Sequence, residues 1–471
     1  MTTHGEQSPQ PGILDALPPD ILMHIAAPGG SRVVLVTGAG ASIEPPTCLK
    51  SGGDYSQEAH ERLVLDTILQ PGACAQPRDL SVLADVVHST TGSQLELTKR
   101  LPRDEWRAPT PNAGHLAAAA LLIEGALRAL VTLNYDLALQ VALASLGKPP
   151  DVSICKGPED HDQTSSHALI YLHRSAESPP ETWILRKSDL DSSWRQAWEQ
   201  MVATGALSAP VTIFAGLGSP AAVLTETVTS LARLPGTAFF YADLFPDSKF
   251  SEAIATELSA RIRMGWGAVT DILARRLAQE HGLRLREEAR TLAASAGLAE
   301  GAADEILQRL CAMGLVPLGR IRSSWLLFKH PYLRDDAQRT CVADLAVTLG
   351  AVANALSATA QFDEQGGVHL VQPDGERVSL RVVHGGGIRT WAFVRSKLEV
   401  QRQDARDFGR SRVVLVAGLA PGIDPLPADL VHIDSADDLI RGGDELIALD
   451  AHEVRTALLD DPLTLRRRLV A

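Results

Sequence analysis

Cysteine is scarce in this chain: its 471 residues contain five cysteines, and no two of them form a Cys-x-x-Cys pair. Such a spacing indicates neither a disulfide framework nor a cysteine zinc site. We therefore expect no zinc and no other bound metal.

Long apolar runs are also lacking, and no stretch is long and apolar enough to span a bilayer. The first residues, MTTHGEQSPQPG, are polar and lack the apolar core of a signal peptide. We expect a cytoplasmic protein without a membrane partner. Positive charge is outnumbered, because 44 Lys and Arg oppose 57 Asp and Glu, for a net charge of −13. This balance argues against a chain that coats nucleic acid along its whole length, although a local basic face is compatible with it.

The composition is that of a globular protein, 45% hydrophobic and 21% charged, and the length accommodates two or three domains. The pattern predicts a flexible N-terminal tail over 1–28, with a short helical stretch at Ile13 to Ile25 interrupted by prolines. It then predicts an α/β domain over 29–260, a helical, winged-helix-like domain over 261–345, and a small α/β domain over 346–471.

The chain is organised around Ser31 to Ser42, SRVVLVTGAGAS. Its β-branched run is typical of a strand buried on both faces of a parallel sheet. The glycines that follow allow a sharp turn and a close approach of backbone N–H groups to a phosphate. An ordinary tight turn between a strand and a helix explains the same letters.

Five further apolar runs alternate with helical patterns and predict a Rossmann-like, doubly wound parallel sheet. Ligands bind such sheets outside the carboxyl ends of the strands, where four of the six predicted strands end in a polar or glycine cluster. The five predicted strands after the first are Leu130 to Leu133, Ala168 to Leu172, Trp183 to Leu185, Val211 to Ala215 and Ala238 to Tyr241.

Four motifs follow one another along the chain: GAGAS, TLNYD, a strand ending in LHR, and GLGSP. In this order and spacing they resemble the sirtuin (Sir2) family, and most of all the bacterial sirtuin-like NAD hydrolases of anti-phage defence. The helix opener PNAGHLA also resembles the family's segment before its Asn motif. The resemblance covers roughly residues 29–260 and implies NAD as the substrate.

The chain also departs from the family. Protein-deacylating sirtuins carry four zinc cysteines and a GIPDFR-like stretch after the glycine turn, whereas this chain reads IEPPT from Ile43 to Thr47. The family's His-Gly is His173-Arg174 here. These differences weigh against deacylation and favour NAD binding and cleavage. Arg174 could bind a phosphate or carboxylate, or narrow the entrance against a peptide.

The resemblance assigns the NAD-binding residues to strand ends. The first glycine turn would hold the phosphates through Gly38, Ala39, Gly40 and Ser42, and the second would approach the adenosine half through Gly216, Gly218 and Ser219. Asp243, at the end of the sixth strand, would meet the adenine ribose. Ordinary turns account for the second glycine cluster equally well.

Three residues are the catalytic candidates: Asn134, Asp136 and His173. The Asn134 amide can orient a water or a ribose hydroxyl, Asp136 can order the same loop, and His173, with an ordinary pKa near ~6.5, can act as general base. The alternatives are that Asn134 and Asp136 only cap the next helix and that His173 is structural.

The second half begins with a predicted helix pair, Leu258 to His281, around the letters MGWG. A helix-turn-helix outline follows, and GRIRSSWLLF resembles the hairpin wing of a winged helix, with Arg320, Arg322 and Lys329 at its tip. Winged helices bind DNA through such features, and many serve only as protein contacts.

The last domain faintly resembles the restriction-endonuclease-like fold. Arg381 and Arg395 occupy its acidic positions and only Lys397 of its motif remains, so we expect no magnesium site and no nuclease activity. These residues and Arg402 to Arg412 form a basic cluster, which suits a nucleic acid, a nucleotide signal or an acidic partner protein as a trigger. The alternative is a solvated face paired with nearby acidic residues.

Together these observations predict an NAD glycohydrolase, an anti-phage effector that depletes NAD when triggered through its C-terminal half, and an oligomer. Two other functions stay open: a sirtuin-type protein deacylase or ADP-ribosyltransferase, and a catalytically inactive NAD- or DNA-binding regulatory module.

Overall fold

The structure, a computed structural model, forms two compact units, Met1–Arg276 and Leu277–Ala471. The described residues are 12–27, 30–163, 167–192, 198–318, 320, 336–362, 368–384, 388–390, 392, 413–417, 429–432, 447–461, 463–464 and 466–467.

The first unit is built on an eight-stranded sheet in which every neighbouring pair is parallel. The spatial order is β1-β8-β7-β6-β2-β3-β5-β4. This Rossmann-like α/β architecture confirms the predicted fold class. The strands are β1 Ile13–Leu14, β2 Val33–Thr37, β3 Leu127–Thr132, β4 Val152–Cys155, β5 His167–Tyr171, β6 Val211–Ala215, β7 Ala238–Asp243 and β8 Ala260–Arg263.

Strand β2 lies at the centre of the sheet, and all five of its residues are therefore buried, as its run of valine and leucine predicts. From β2 the chain builds one side of the sheet through β3, β4 and β5, and then returns to place β6 on the other side. The carboxyl ends of β2 and β6 therefore form the topological switch point, where open α/β sheets bind their ligands.

Helices cover the sheet. The buried apolar residues of the first unit include one cluster around Val34, Phe214 and Tyr241 and another around Leu63, Trp106 and Trp183. The helices are α1 Pro19–Ala26, α2 Gly52–Leu65, α3 Leu80–Thr91, α4 Leu95–Thr98, α5 Arg103–Arg107, α6 Ala113–Ile123, α7 Ala138–Ser145, α8 Lys187–Ser192, α9 Trp198–Leu207, α10 Ala222–Leu231 and α11 Lys249–Ala253.

Two expectations for the first unit are wrong. The segment predicted as a flexible tail contributes β1, which pairs with β8, and α1, which begins directly after Pro18. The predicted strand from Trp183 to Leu185 does not form, because side chains hold this segment: Gln94 Nε2 donates to the carbonyl of Trp183 (2.8 Å), whose indole N–H donates to Ser178 O (3.2 Å).

A single long helix, α12, spans Trp266–Ser295. It replaces the predicted pair of helices from Leu258 to His281, within which Ala260–Arg263 instead form β8. The helix runs through the boundary between the two units. This boundary lies at residue 276, whereas the sequence predicted it at residue 260.

The second unit contains a five-stranded mixed sheet in the order β15-β13-β11-β10-β9 and a two-stranded sheet, β12-β14. Its remaining elements are α13 Asp304–Ala312, α14 Asp336–Ala355, β9 Thr359–Phe362, β10 Val368–Val371, β11 Arg377–His384, β12 Ile388–Thr390, β13 Val413–Ala417, β14 Leu430–His432, β15 Ile447–Asp450 and α15 Ala451–Asp460.

One apolar cluster joins α12, α13 and α14 to the strands of the second unit, with Leu285, Leu307 and Leu370 among its members. Helix α14 runs across residues 345 and 346, so the helical and α/β segments predicted on either side of this limit share a core. The predicted wing over 321–328 and Lys329, and the basic residues Arg395 to Arg412, lie outside the described residues. In the part of the chain that the structure describes, no helix is long and apolar enough to cross a membrane.

Candidate active site

Two glycine turns meet at the switch point. The turn after β2 continues as a 3-10 turn, Ala39–Ser42, and packs against the turn after β6. The Gly38 N–H donates to Ala215 O (3.0 Å) and the Gly40 N–H donates to Gly216 O (2.9 Å). The motifs GAGAS and GLGSP, far apart in the sequence, therefore form one surface.

The backbones are so close that side chains have no room. A Cβ at position 40 would lie 2.7 Å from Gly216 Cα, and a Cβ at position 216 would lie 2.6 Å from Ala41 N. Gly216 also has φ +65°, which favours glycine. The contact between the turns thus explains why glycine occupies positions 40 and 216. It also engages the N–H groups of Gly38 and Gly40, which were predicted to bind a phosphate. Ala39, Gly218 and Ser219 are exposed beside this contact.

Ser42 is the centre of a buried hydrogen-bond network. Its Oγ donates to Asp136 Oδ2 (2.9 Å) and accepts from Asn134 Nδ2 (3.3 Å), which also donates to Gly38 O (3.1 Å). The Ala138 N–H donates to Asp136 Oδ1 (3.0 Å) at the start of α7. Asp136 therefore caps the next helix, as the simpler interpretation held, and at the same time fixes Ser42. Five of the predicted site residues, Gly38, Gly40, Ser42, Asn134 and Asp136, lie together here.

His115 belongs to the same network, although it was not among the predicted site residues. It is 1% exposed, and its Nε2 lies 3.5 Å from Ser42 Oγ. The Asn112 N–H donates to His115 Nδ1 (3.3 Å), so the ring proton sits on Nε2 and points to Ser42. The sequence signal that could have identified His115 is the PNAGH segment at the start of α6. Asn112 caps this helix by accepting from the His115 N–H (3.0 Å), in a reciprocal capping box.

Burial sets the protonation of this network. It lowers the pKa of His115 to about 4, because the charged ring would lose its hydration. It raises the pKa of Asp136, although the hydrogen bonds from Ala138 N–H and Ser42 oppose that shift. At neutral pH His115 is uncharged and acts as a fixed hydrogen-bond donor.

His173 follows the adjacent strand. Thr132 of β3 pairs with Tyr171 of β5, so Asn134 and His173 each lie two residues beyond a paired position. The expectation of an ordinary pKa is wrong: burial first, and the positive charge of Arg174 second, lower the pKa of His173 to about 4. His173 is therefore neutral at pH 7, which a proton acceptor requires.

Arg174 forms an ion pair with Glu199 of α9 (2.9 Å), and its guanidinium lies 5.4 Å from the centre of the Trp198 ring. Both side chains of the ion pair are mostly buried, at 13% and 6% exposure. A cavity of about 570 Å³ adjoins this pair and is also lined by Trp183, Trp198 and Arg186. Arg174 thus forms part of the wall of a cavity, while Glu199 already neutralises its charge.

Asp243 ends β7 as predicted, and its described contacts are local. Its Oδ1 accepts from the Phe245 N–H (2.9 Å), and Tyr241 Oη lies 3.4 Å from its Oδ2. Asp243 is half-buried. A role toward a ribose stays a prediction.

Among the described residues, no group of three or more His, Cys, Asp and Glu could hold a metal ion. Cys48, Cys74 and Cys311 are free thiols. The arrangement at the switch point offers a close-packed turn, a hydroxyl, an amide and the neutral imidazole of His115, and the neutral His173 follows β5. Such groups can position a polar substrate and accept one proton.

No family model matches the chain, and no curated protein matches it. Among solved structures, the chain is similar to a Sir2 homologue in complex with NAD, at 19% identity over 57% of this chain and 97% of the other, with a TM-score of 0.36. It is similar to a mutant Sir2 homologue in complex with ADP-ribose, at 19% identity over 56% and 97%, with a TM-score of 0.31. A third structure, described under the mechanism and regulation of Sir2 enzymes, has 14% identity over 55% and 96%, with a TM-score of 0.32.

Proposed function

We propose that the first unit binds NAD at the switch point and hydrolyses its nicotinamide–ribose bond. One observation carries the proposal: GAGAS and GLGSP meet back to back at the carboxyl ends of β2 and β6, above a network that fixes Ser42, Asn134 and Asp136. Parallel sheets bind nucleotides at this place.

In the proposed reaction, water attacks C1′ of the nicotinamide ribose and the C1′–N bond breaks. The electron pair of that bond leaves with nicotinamide, and the attacking water gives up a proton as ADP-ribose forms. The ribose carries positive charge in the transition state, so binding and orientation supply most of the catalysis.

The residues divide this work. The exposed backbone of Ala39 and the second turn at Gly218 and Ser219 receive the phosphates and the adenosine half. The Asn134 amide donates through Nδ2 to Gly38 O and Ser42, which holds its Oδ1 in place as an acceptor for a water or a ribose hydroxyl. His173, neutral at pH 7, accepts the proton.

The test is incubation of the full chain with NAD and chromatography of nicotinamide and ADP-ribose. Asn134→Ala and His173→Ala should each lower turnover by about 10²–10⁴-fold. The exposed Glu61 provides a matched control as Glu61→Ala. Wild-type turnover in either variant would remove that residue from the mechanism. Nicotinamide release that requires an acylated peptide or an acceptor protein would instead identify a deacylase or ADP-ribosyltransferase. NAD binding without turnover would identify an inactive module.

The proposal extends to control by the C-terminal half and to a cytoplasmic anti-phage role as an oligomer. The sequence supports it through the basic residues Arg395 to Arg412 and the resemblance to sirtuin-like defence NADases. Turnover should stay low until nucleic acid, a nucleotide signal or a partner protein is added. Cells with the wild-type chain should lose NAD on phage infection, and cells with the Asn134→Ala chain should not. Constitutive turnover that ignores every candidate trigger would contradict this part.

A further inference from the structure

The loop that carries Ser42 is tied to the start of α12. Glu44, two residues after Ser42, accepts the Gly267 N–H with both carboxylate oxygens (3.2 and 3.1 Å). Gly267 lies in the first turn of α12, where N–H groups have no partner within the helix. The contact joins residues that are 223 positions apart in the chain.

The helix start has no cap of its own. The Val269 N–H donates to Gly265 O (3.1 Å), so Gly265 occupies the capping position and has no side chain with which to cap. The first turn of α12 contains no acidic residue. Glu44 therefore supplies both the hydrogen-bond acceptor and the negative charge that a helix N-terminus favours.

The absence of side chains at 265 and 267 leaves the space that the Glu44 carboxylate occupies. A Cβ at Gly267 would lie 2.6 Å from Glu44 Oε2, and a Cβ at Gly265 would lie 3.0 Å from Glu44 Oε1. Trp266, between these glycines, is 3% exposed, and its ring centre lies 6.1 Å from that of His115. A Cβ at Gly114 would lie 2.4 Å from the Trp266 ring.

Three further hydrogen bonds fix the backbone of the Ser42 loop. Asn112 Nδ2 donates to Ala41 O (2.8 Å) and to Glu44 O (3.3 Å), and the Leu49 N–H donates to Ser42 O (2.9 Å). The first turn of α12 thus contacts Ser42's network twice, through Glu44 on the loop and through Trp266 on His115.

We infer that Glu44 is a positioning residue and that the Ser42 loop and the first turn of α12 change state together. A change at either one must then alter the other by the same coupling free energy. The inference rests on the proposed function only in naming NAD as the ligand of the loop. Because α12 continues into the second unit, α12 is the helix through which that unit would regulate the site.

The experiment uses the full chain with Glu44→Gln, which removes the charge and keeps the size of the side chain. The control is Asp271→Asn on α12, where an exposed carboxylate pairs with Arg275. Amide hydrogen exchange is measured in peptides that cover residues 39–47 and 264–272, with and without ADP-ribose, together with kcat and KM for NAD.

We expect Glu44→Gln to accelerate exchange in both peptides and to lower kcat by about 10- to 100-fold, with a smaller change in KM. ADP-ribose should protect both peptides in the wild type and only residues 39–47 in Glu44→Gln. Glu44→Asp, which keeps the charge on a shorter side chain, should recover part of the loss. Asp271→Asn should match the wild type.

Faster exchange in residues 264–272 alone, with residues 39–47 and kcat unchanged, would overturn the inference. If Glu44→Gln does not fold, the wild-type arm decides: protection of residues 39–47 alone by ADP-ribose would contradict the coupling. If ADP-ribose protects neither peptide and NAD is not cleaved, the proposed function fails. The response of the two peptides to Glu44→Gln or Glu44→Asp then still decides the inference.

Discussion

The centre of the first unit's sheet and the end of β5 hold their polar groups in different ways. At the centre, Ser42 joins an amide, a carboxylate and an imidazole, and two glycine turns touch without space for a side chain. At the end of β5, Arg174 and Glu199 form an ion pair beside a cavity. The centre is thus fixed by close packing and hydrogen bonds, whereas the end of β5 is fixed by an ion pair beside a cavity.

The largest effect should come from adding a side chain where the turns touch. Gly216→Val places a Cβ 2.6 Å from Ala41 N at φ +65°, and left-handed backbone strain and overpacking together should cost about 3–5 kcal/mol of unfolding free energy. Thermal unfolding measures the loss. The matched control is Gly218→Ala, because a Cβ there would meet open space. Equal stability of the two variants would mean that the turns are not held by shape.

The next effect should follow from breaking the ion pair at β5. Glu199→Ala leaves the Arg174 guanidinium mostly buried without its carboxylate, which should cost about 3 kcal/mol. Adding Arg174→Met should return part of this stability, since the unpaired charge is then gone. Thermal unfolding compares both with Glu177→Ala, an exposed carboxylate paired with Lys156. A loss no greater than that of Glu177→Ala would show that charge does not fix this end.

Acid should weaken the centre. The folded-state pKa of His115 is about 4, below its ordinary value of 6.5, so the unfolded chain binds more protons between these values. The stability from the buried neutral ring is complete above about pH 6.5 and is lost as pH falls toward 4, by up to about 3 kcal/mol.

Thermal unfolding at pH 7, 5.5 and 4 should therefore fall less steeply for His115→Gln than for the wild type. The raised pKa of Asp136 acts in the opposite direction and is present in both chains, so the comparison removes it to first order. His173 is also shifted to about 4, and His173→Gln should flatten the curve in the same pH range. Parallel curves for the wild type and His115→Gln would contradict the burial argument.

The smallest effect should come from removing one hydroxyl at the centre. Ser42→Ala deletes the donor to Asp136 and the acceptor of Asn134, and should cost about 1–2 kcal/mol of stability. Ser89→Ala, on the exposed face of α3, serves as the reference in the same thermal measurement. A Ser42→Ala loss as small as that of Ser89→Ala would show that the Ser42 hydroxyl does not stabilise the centre.

The sequence predicted the central strands well because burial on both faces leaves a short β-branched run, as in β2. It did not predict β4 and β8, which have four residues each. Trp183 looked like part of a strand because a Trp-Ile-Leu run fits one, and only the distant Gln94 side chain shows otherwise. Glycine at 265 and 267 suggested a break between two helices. In the structure both glycines leave room for Glu44.

Some residues of the candidate site could likewise be predicted from the sequence, and others could not. Residues that follow strands, such as Asn134 and Asp136, could be found from motifs, since the carboxyl ends of parallel strands share one edge. His115 comes from the first turn of a helix, and its part in the site depends on the contact with Ser42. The pKa of His173 depends on burial, which the letters around it do not reveal.

The 30 residues of α12 make it roughly 45 Å long, and they place a constraint on how this gene could be divided or recombined. A chain cut after residue 260, where composition suggests a border, would lose most of β8, Trp266 and the N–H that Glu44 accepts. A cut at residue 276 would keep them and leave eleven residues of helix. Fusions that exchange the C-terminal half between related proteins should therefore join within the helix, and they should preserve its register.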